Sequence, residues 1–477
     1  MTEDIKFSNF PYLPHTDEER AVMLAAIGVK NFEELVSHVP ADVRAQALEL
    51  AEGLSELELS EHINALAAKN KPASRSASFL GGGSYRRFVP AVVSSVLSRS
   101  EFSTAYTPYQ PEVSQGSLQV IYEFQTAICL LTGMEVANAS MYDGPTACAE
   151  AALMAARLTG RKKIVVSGSV NPEYSMVTHT YVKSCGLTWS VAETEGGVTS
   201  ESALALDDCV AALVVQYPNY FGCLEDLTVL GRKAHEKGAL LVVVSEPISL
   251  GLLTPPSEFD ADIVVGDAQP CGNSLSFGGP SAGYMACRKD FVRQLPGRLA
   301  GMTVDNRGNE AFTLTLQTRE QHIRRAKATS NICTNQALNA LAMLVYLTTM
   351  GPTGLRQLSS LGAQRAHYLA EQLAKIDGVE LTFKQPFLNE FVVTVDANLA
   401  HVLSELKERG ILAGLALSTF LPDMGNELLI AVTEMNHKAD LDRFVTQLKD
   451  VLAARKTAPD RHESRAPAVA AKSNKNI

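Results

Sequence analysis

Residues 211–269 read AALVVQYPNYFGCLEDLTVLGRKAHEKGALLVVVSEPISLGLLTPPSEFDADIVVGDAQ. Three short apolar runs, 211–216 (AALVVQ), 240–245 (LLVVVS) and 261–266 (ADIVVG), are separated by a helical stretch at 227–238 and a short connection. Runs that are apolar at every position, rather than at alternate ones, are covered on both faces, as parallel strands between helices are. KIVVS at 163–167 adds a further strand behind the alanine-rich run 147–156. The pattern predicts an α/β domain with a mostly parallel sheet. Ligands of such sheets bind beyond the carboxyl ends of the strands. Gln216-Tyr217-Pro218-Asn219, Ser245-Glu246-Pro247 and Asp267-Ala268-Gln269 fall there.

Upstream, residues 105–149 read AYTPYQPEVSQGSLQVIYEFQTAICLLTGMEVANASMYDGPTACA. Pro108 and Pro111 bias the residues before them towards extended backbone, so 106–111 is a loop. From 117 to 131 the apolar residues recur at helical spacing, and Gly133 stands where a helix-terminating glycine would. Asp143-Gly144-Pro145-Thr146 opens the next helix; such a start offers free N–H groups to an anion, although Pro145 removes one donor. Phe79-Leu80-Gly81-Gly82-Gly83-Ser84-Tyr85 is a glycine loop, suited to a linker or to a close backbone approach. Downstream lie a second glycine turn at 277–280 (FGGP), a turn carrying Arg293 and Arg298, and the basic stretch 315–330 (TLQTREQHIRRAKATS). A charge run of that kind is a solvated helix face or, more sharply, a subunit interface.

The pattern divides the chain into a helical arm at 1–80, the large α/β domain at 81–334, a small α/β domain at 335–454 and a polar, disordered tail at 455–477. In the arm, Thr16-Asp17-Glu18-Glu19 forms a capping box, Gly28 ends that helix, and Asn31 caps the next.

Across its 477 residues the chain has a formal net charge of -10, which argues against non-specific nucleic-acid binding and against a polybasic membrane contact. No apolar run approaches membrane-spanning length. The eight cysteines are scattered without a CxxC or a Cys/His cluster, so they read as reduced thiols of a cytoplasmic protein rather than as metal ligands.

Several long motifs, in order, carry a family resemblance: 79–93, TAYTPYQPEVSQG (104–116), NASMYDG (138–144), FGGPSAG (277–283), RQLPGRL (293–299) and TLQTREQHIRRAKATSNICTNQAL (315–338). They resemble the glycine-cleavage P-protein, in its N-terminal-half type, which in many prokaryotes is a separate chain, subunit 1 of decarboxylating glycine dehydrogenase. The resemblance runs from about residue 9 to 452. It implies a fold-type I pyridoxal-phosphate (PLP) enzyme architecture with a seven-strand-type sheet. It also implies decarboxylation of glycine on PLP and transfer of the aminomethyl group to the lipoyl arm of H-protein.

That chemistry needs a Schiff-base lysine, a carboxylate at the pyridinium nitrogen and a phosphate cradle. The segment 265–279, where the family pattern expects the lysine, has none; the nearest are Lys237 and Lys289. Glu246 stands at the pyridinium position instead of the usual Asp. Asp143, Gly144 and Thr146 keep the outline of the phosphate turn, with Gly278 and Gly279 as second-tier candidates beside residues 81–84. The resemblance therefore implies the non-lysine half of a heteromer whose partner, subunit 2, carries the lysine and holds PLP. This chain would wall the partner's glycine site with Tyr106, Thr107, Tyr109, Gln110, Ser114 and Gln115, whose other reading is ordinary loop packing. Arg298, Arg319 and Arg324 are expected in interface salt bridges. Two alternatives are a chain that binds PLP non-covalently and works alone, and a scaffold that stabilises or regulates a partner.

Overall fold

The computed structural model describes residues 15–44, 51 and 53–457, in two units that divide between Lys71 and Pro72. In the first unit, helix Asp17–Ile27 opens with the reciprocal Thr16/Glu19 capping box and ends at Gly28, whose φ of 89° suits glycine. Asn31 caps Phe32–Leu35, and Ser55 with Glu58 caps Glu56–Ala67. None of these three helices buries a residue. Among its described residues this stretch has sound local signals and no core of its own.

The second unit is built on a seven-stranded sheet. Its strands are β1 (Val136–Ala137), β2 (Lys163–Ser167), β3 (Thr188–Ala192), β4 (Val210–Tyr217), β5 (Leu240–Ser245), β6 (Ile263–Asp267) and β7 (Gly283–Cys287). Their order across the sheet is β1-β7-β6-β5-β4-β2-β3, and the run from β6 to β3 is parallel. β7 is antiparallel to β6, pairing Gly283 with Asp267 and Cys287 with Ile263. Successive side chains point to opposite faces. Val214, Val242 and Val244 join Ala147, Ala151 and Ala155 of helix Gly144–Thr159 on one side. Leu213, Val215, Leu241 and Val243 join Phe124, Leu230 and Met343 on the other. The alanine face lets that first helix lie close against the sheet.

A four-stranded antiparallel sheet forms the small domain, in the order Val379–Leu381, Glu390–Val395, Glu427–Ala431, Leu415–Ala416. Two boundaries differ from the sequence expectation. Ala77–Ser78 pairs in parallel with Ile411–Leu412, and the Phe79 ring lies 4.8 Å from Phe444, so residues 77–79 belong to the small domain's core and not to an arm ending at 80. Helix Ala337–Leu373 bends at Gly351, which is non-helical (φ 59°) and precedes Pro352. Residues before the bend, such as Met343 and Tyr346, pack in the large-domain core, whereas Leu369 and Leu373 pack in the small one. The large domain's core therefore extends past residue 334. Most of the expected tail lies outside the described residues, from 458 on.

Candidate functional site

Beyond the carboxyl ends of β4, β5 and β6 the chain closes on itself. The loop 81–88 crosses this edge, tied at both domains. Gly81 is required there because a Cβ would collide with Ala431 and with the Glu390 carboxylate. Glu390 accepts from the Gly82 N–H (2.8 Å) and from the Tyr85 hydroxyl (2.6 Å). Tyr85 N–H donates to Gln269 Oε1 (2.8 Å) and Gln269 Nε2 donates back to Tyr85 O (3.0 Å), a closed amide pair. Burial pushes the Glu390 carboxyl up to about 7 against the pull of those two donors, and it pushes the Tyr85 phenol well above its ordinary range.

Arg87 is the centre of this closure. Its guanidinium lies 3.0 Å from Glu434 Oε2 and 3.7 Å from Glu246 Oε1, and its side chain is 3% exposed. Burial works against that charge, but Glu246 and Glu434 outweigh it and hold the guanidinium protonated. Glu246 sits at the end of β5, as expected for a pyridinium partner, yet the cation facing it is Arg87 of the same chain. Glu246 Oε2 is taken up by the Ser249 N–H (2.6 Å). Burial raises its carboxyl, with Arg87 opposing.

The turn at 143–146 is likewise satisfied from within. Asp143 Oδ1 accepts from the Thr146 N–H (2.8 Å) and hydroxyl (2.7 Å), and Asp267 Oδ2 accepts from the Gly144 N–H (2.8 Å). Two carboxylates thus hold the amides that a phosphate would take. Above them lies the Tyr174 ring, with which a Cβ on Gly144 would collide. The space left among Tyr174, Glu246, Asp267 and Pro270 is about 30 Å³, room for about one water molecule.

Neither Lys237 nor Lys289 reaches this edge. Lys237 precedes β5 and Lys289 follows β7, whose last residue pairs with the first of β6, so both stand at the opposite end of the sheet. Gly278 and Gly279, with φ of 108° and 129°, form an exposed turn in which a Cβ on Gly278 would meet nothing within 4 Å. They do not join the cleft.

The loop 104–116 is the reverse of the cleft. Tyr106 is 92% exposed and Tyr109 is 47% exposed. Arg298, 3% exposed, lies 5.5 Å from the centre of the Tyr109 ring and donates to its hydroxyl oxygen (3.3 Å), to Cys333 O (2.5 Å) and to Asn335 Oδ1 (3.2 Å). It makes no salt bridge among the described residues of this chain, and its buried Nε has no partner. Gln115 is held within this chain. Its Nε2 donates to Phe312 O and its Oε1 accepts from Phe312 N, both at 2.8 Å, so it ties its helix to the hairpin of Leu299–Val304 and Glu310–Thr315. Ser114 precedes helix Gln115–Thr132 without a side-chain cap, and Thr107 and Gln110 lie on the loop beside the two tyrosines. The basic stretch 315–330 is no continuous helix face; it folds through short turns that set Arg319 Nη2 on Gly297 O (2.7 Å) and the His322 ring against Tyr109 (5.5 Å).

The family model of the glycine cleavage system P-protein matches residues 11–448. The chain belongs to the glycine cleavage system P-protein family. It is 49% identical over 444 residues to a protein of Chloroherpeton thalassium named probable glycine dehydrogenase (decarboxylating) subunit 1, covering 92% of this chain and 100% of that one. A protein of the same name from Chlorobium luteolum is 50% identical over 446 residues, with coverage of 92% and 100%. A crystal structure of glycine decarboxylase (P-protein), in inhibitor-bound form, aligns with a TM-score of 0.86 and 45% identity over 92% of this chain and 99% of that one. Sphingosine-1-phosphate lyase of Burkholderia pseudomallei, at 16% identity and a TM-score of 0.62, shares the fold alone. The P-protein family and these neighbours place the chain among PLP fold-type I architectures.

PLP does not fit the cleft of this P-protein chain. The lysine is missing, Arg87 takes the face of Glu246, Asp143 and Asp267 take the phosphate amides, and the remaining space admits about one water. Among the residues responsible, Arg87, Tyr85 and Tyr174 were not singled out by the sequence. The one available signal was Glu246 itself, since a carboxylate at the end of an all-apolar strand has to find a cation.

Proposed function

We propose that this chain is the cofactor-free subunit 1 of a heteromeric, cytoplasmic glycine decarboxylase, pairing with a lysine-bearing subunit 2. The complex would release CO2 from glycine and pass the aminomethyl group to the lipoyl arm of H-protein. The observation that carries the reading is the contrast between a cleft filled by Arg87, Tyr85 and Tyr174 and an open face bearing Tyr106 and Tyr109 backed by Arg298.

In the partner's site, PLP supplies the electron sink for decarboxylation. This chain's residues act there as a wall. The Tyr106 and Tyr109 rings cover the site and keep water out. Arg298 has no carboxylate partner among the described residues, so its charge is available to orient an anion on the far side of the Tyr109 hydroxyl.

Co-expression of the two chains tests the reading. The complex is expected to exchange the glycine carboxyl with bicarbonate, and neither chain alone is expected to do so. Exchange by this chain alone, or a purified complex that is inactive with H-protein present, would refute it.

A further inference from the structure

Next to the Tyr109 and Arg298 face, the turns of the basic stretch enclose a second cavity of about 220 Å³, lined by Arg293, Thr318, Arg319, Arg324, Lys327 and Thr329 with Leu316 as its apolar wall. Four cations face one space in a chain whose net charge is -10. None of the four forms an ion pair among the described residues. The nearest carboxylate in sequence, Glu320, turns to His322 Nδ1 at 3.6 Å. Backbone carbonyls hold two of the guanidiniums in place: Arg319 Nη2 donates to Gly297 O (2.7 Å) and Arg324 Nε donates to Thr318 O (3.1 Å), while the Thr329 N–H donates to Arg319 O (3.0 Å) and ties the turn together. Arg319 Nε is buried with no partner.

We infer that this cavity binds the dianion of a phosphate monoester. A single carboxylate would leave most of the charge uncompensated. A phosphate carries about -1.5 to -2 near neutrality and accepts from several donors at once, which matches forked guanidiniums flanked by two threonine hydroxyls. The monoester comes from one of two sources: the cofactor held by the partner subunit, or a free phosphorylated metabolite. Only the first source rests on the heteromer reading.

The test is a titration of the full-length chain with inorganic phosphate at low ionic strength, followed by calorimetry and against a chloride control. One phosphate per chain is expected, and the Arg324→Gln/Lys327→Gln variant should weaken binding tenfold or more. Both residues are exposed, so the variant is expected to fold. Arg99→Gln/Arg307→Gln, which removes the same charge from exposed positions outside the cavity, should bind like the parent. Repeating the titration on the co-purified complex separates the sources. If the partner's cofactor supplies the monoester, phosphate binds only after the cofactor is removed, and the cavity variant loses cofactor absorbance on dialysis. If the ligand is free, complexes with and without cofactor bind phosphate equally. Absence of binding in every form, or equal binding by the cavity variant and the control variant, overturns the inference. An active complex that binds no phosphate even after its cofactor is removed, with no binding by the free chain, would sink the cavity alone and leave the subunit reading standing.

Discussion

The cleft beyond β4, β5 and β6 and the open face around 104–116 are built from similar residue types for opposite ends. Both hold tyrosines, an arginine and amides. In the cleft the charged and phenolic groups are matched within the chain, with only Arg87 Nε and the Ser245 hydroxyl left over among the donors: Tyr85 donates to Glu390, Gln269 exchanges bonds with the Tyr85 backbone, and Arg87 faces Glu434 and Glu246. On the open face Tyr106 faces solvent, and Arg298 behind it has only neutral acceptors among the described residues and no partner for Nε. A surface satisfied from within cannot take a ligand without breaking bonds that stabilise the fold. A surface left short of partners can. The comparison teaches that the cleft, which lacks a lysine, is filled by the chain's own side chains, while the loop 104–116 keeps its tyrosines exposed.

The largest effect should come from emptying the cleft of its cation. Arg87→Met leaves Glu246 and Glu434 buried without a counter-charge, and breaking such a group costs on the order of 3–5 kcal/mol. Denaturant unfolding would measure it; a loss under about 1 kcal/mol, the scale of an exposed ion pair, would mean that the cluster does not hold the two domains together.

A second effect concerns pH. The Glu390 carboxyl is raised to about 7 in the folded chain, above its unfolded value, so its protonated form favours folding. Its contribution is complete below the unfolded value near 4.5 and is lost as pH rises through about 7. Glu390→Gln can accept from Gly82 N–H and donate to the Tyr85 oxygen without ionising. Relative to the parent it should gain on the order of 1–3 kcal/mol between pH 4.5 and 7.5. A stability difference that stays constant across that window would show that Glu390 does not titrate there.

The open face should behave in the reverse way. Tyr106→Ala should change the stability of the chain by less than about 0.5 kcal/mol, as exposed positions do. In the complex the same change, combined with Tyr109→Ala, should lower glycine–bicarbonate exchange about tenfold, worth about 1.4 kcal/mol. Unchanged exchange would mean that this loop does not wall the partner's site.

The sequence made some of this legible and hid the rest for identifiable reasons. The central strands were readable because they are buried on both faces, so their apolar runs carry no alternation to misread. The missing lysine was equally plain. Arg87 was not, because an arginine in a loop reads as solvated; its burial depends on Glu246, 159 positions along the chain, and on Glu434, 347 positions along. The placement of Ala77–Ser78 escaped for a similar reason, since two residues pair with a strand more than 300 positions away. Gln115 looked like a site residue because amides near tyrosines suit polar ligands, and only the position of Phe312 shows that it is a tie. Arg298 and Arg319 read as interface salt-bridge residues; within this chain the acceptors nearest to them are backbone carbonyls, which no local pattern announces.

The most direct test of the division between the two faces is borohydride reduction of the assembled complex with PLP, followed by peptide mass mapping. Phosphopyridoxyl-lysine is expected on a single peptide of the partner, with none on this chain even at excess cofactor. A stoichiometric phosphopyridoxyl group on this chain, at Lys237, Lys289 or any other lysine, would contradict the account, because it would mean that this chain holds the cofactor itself.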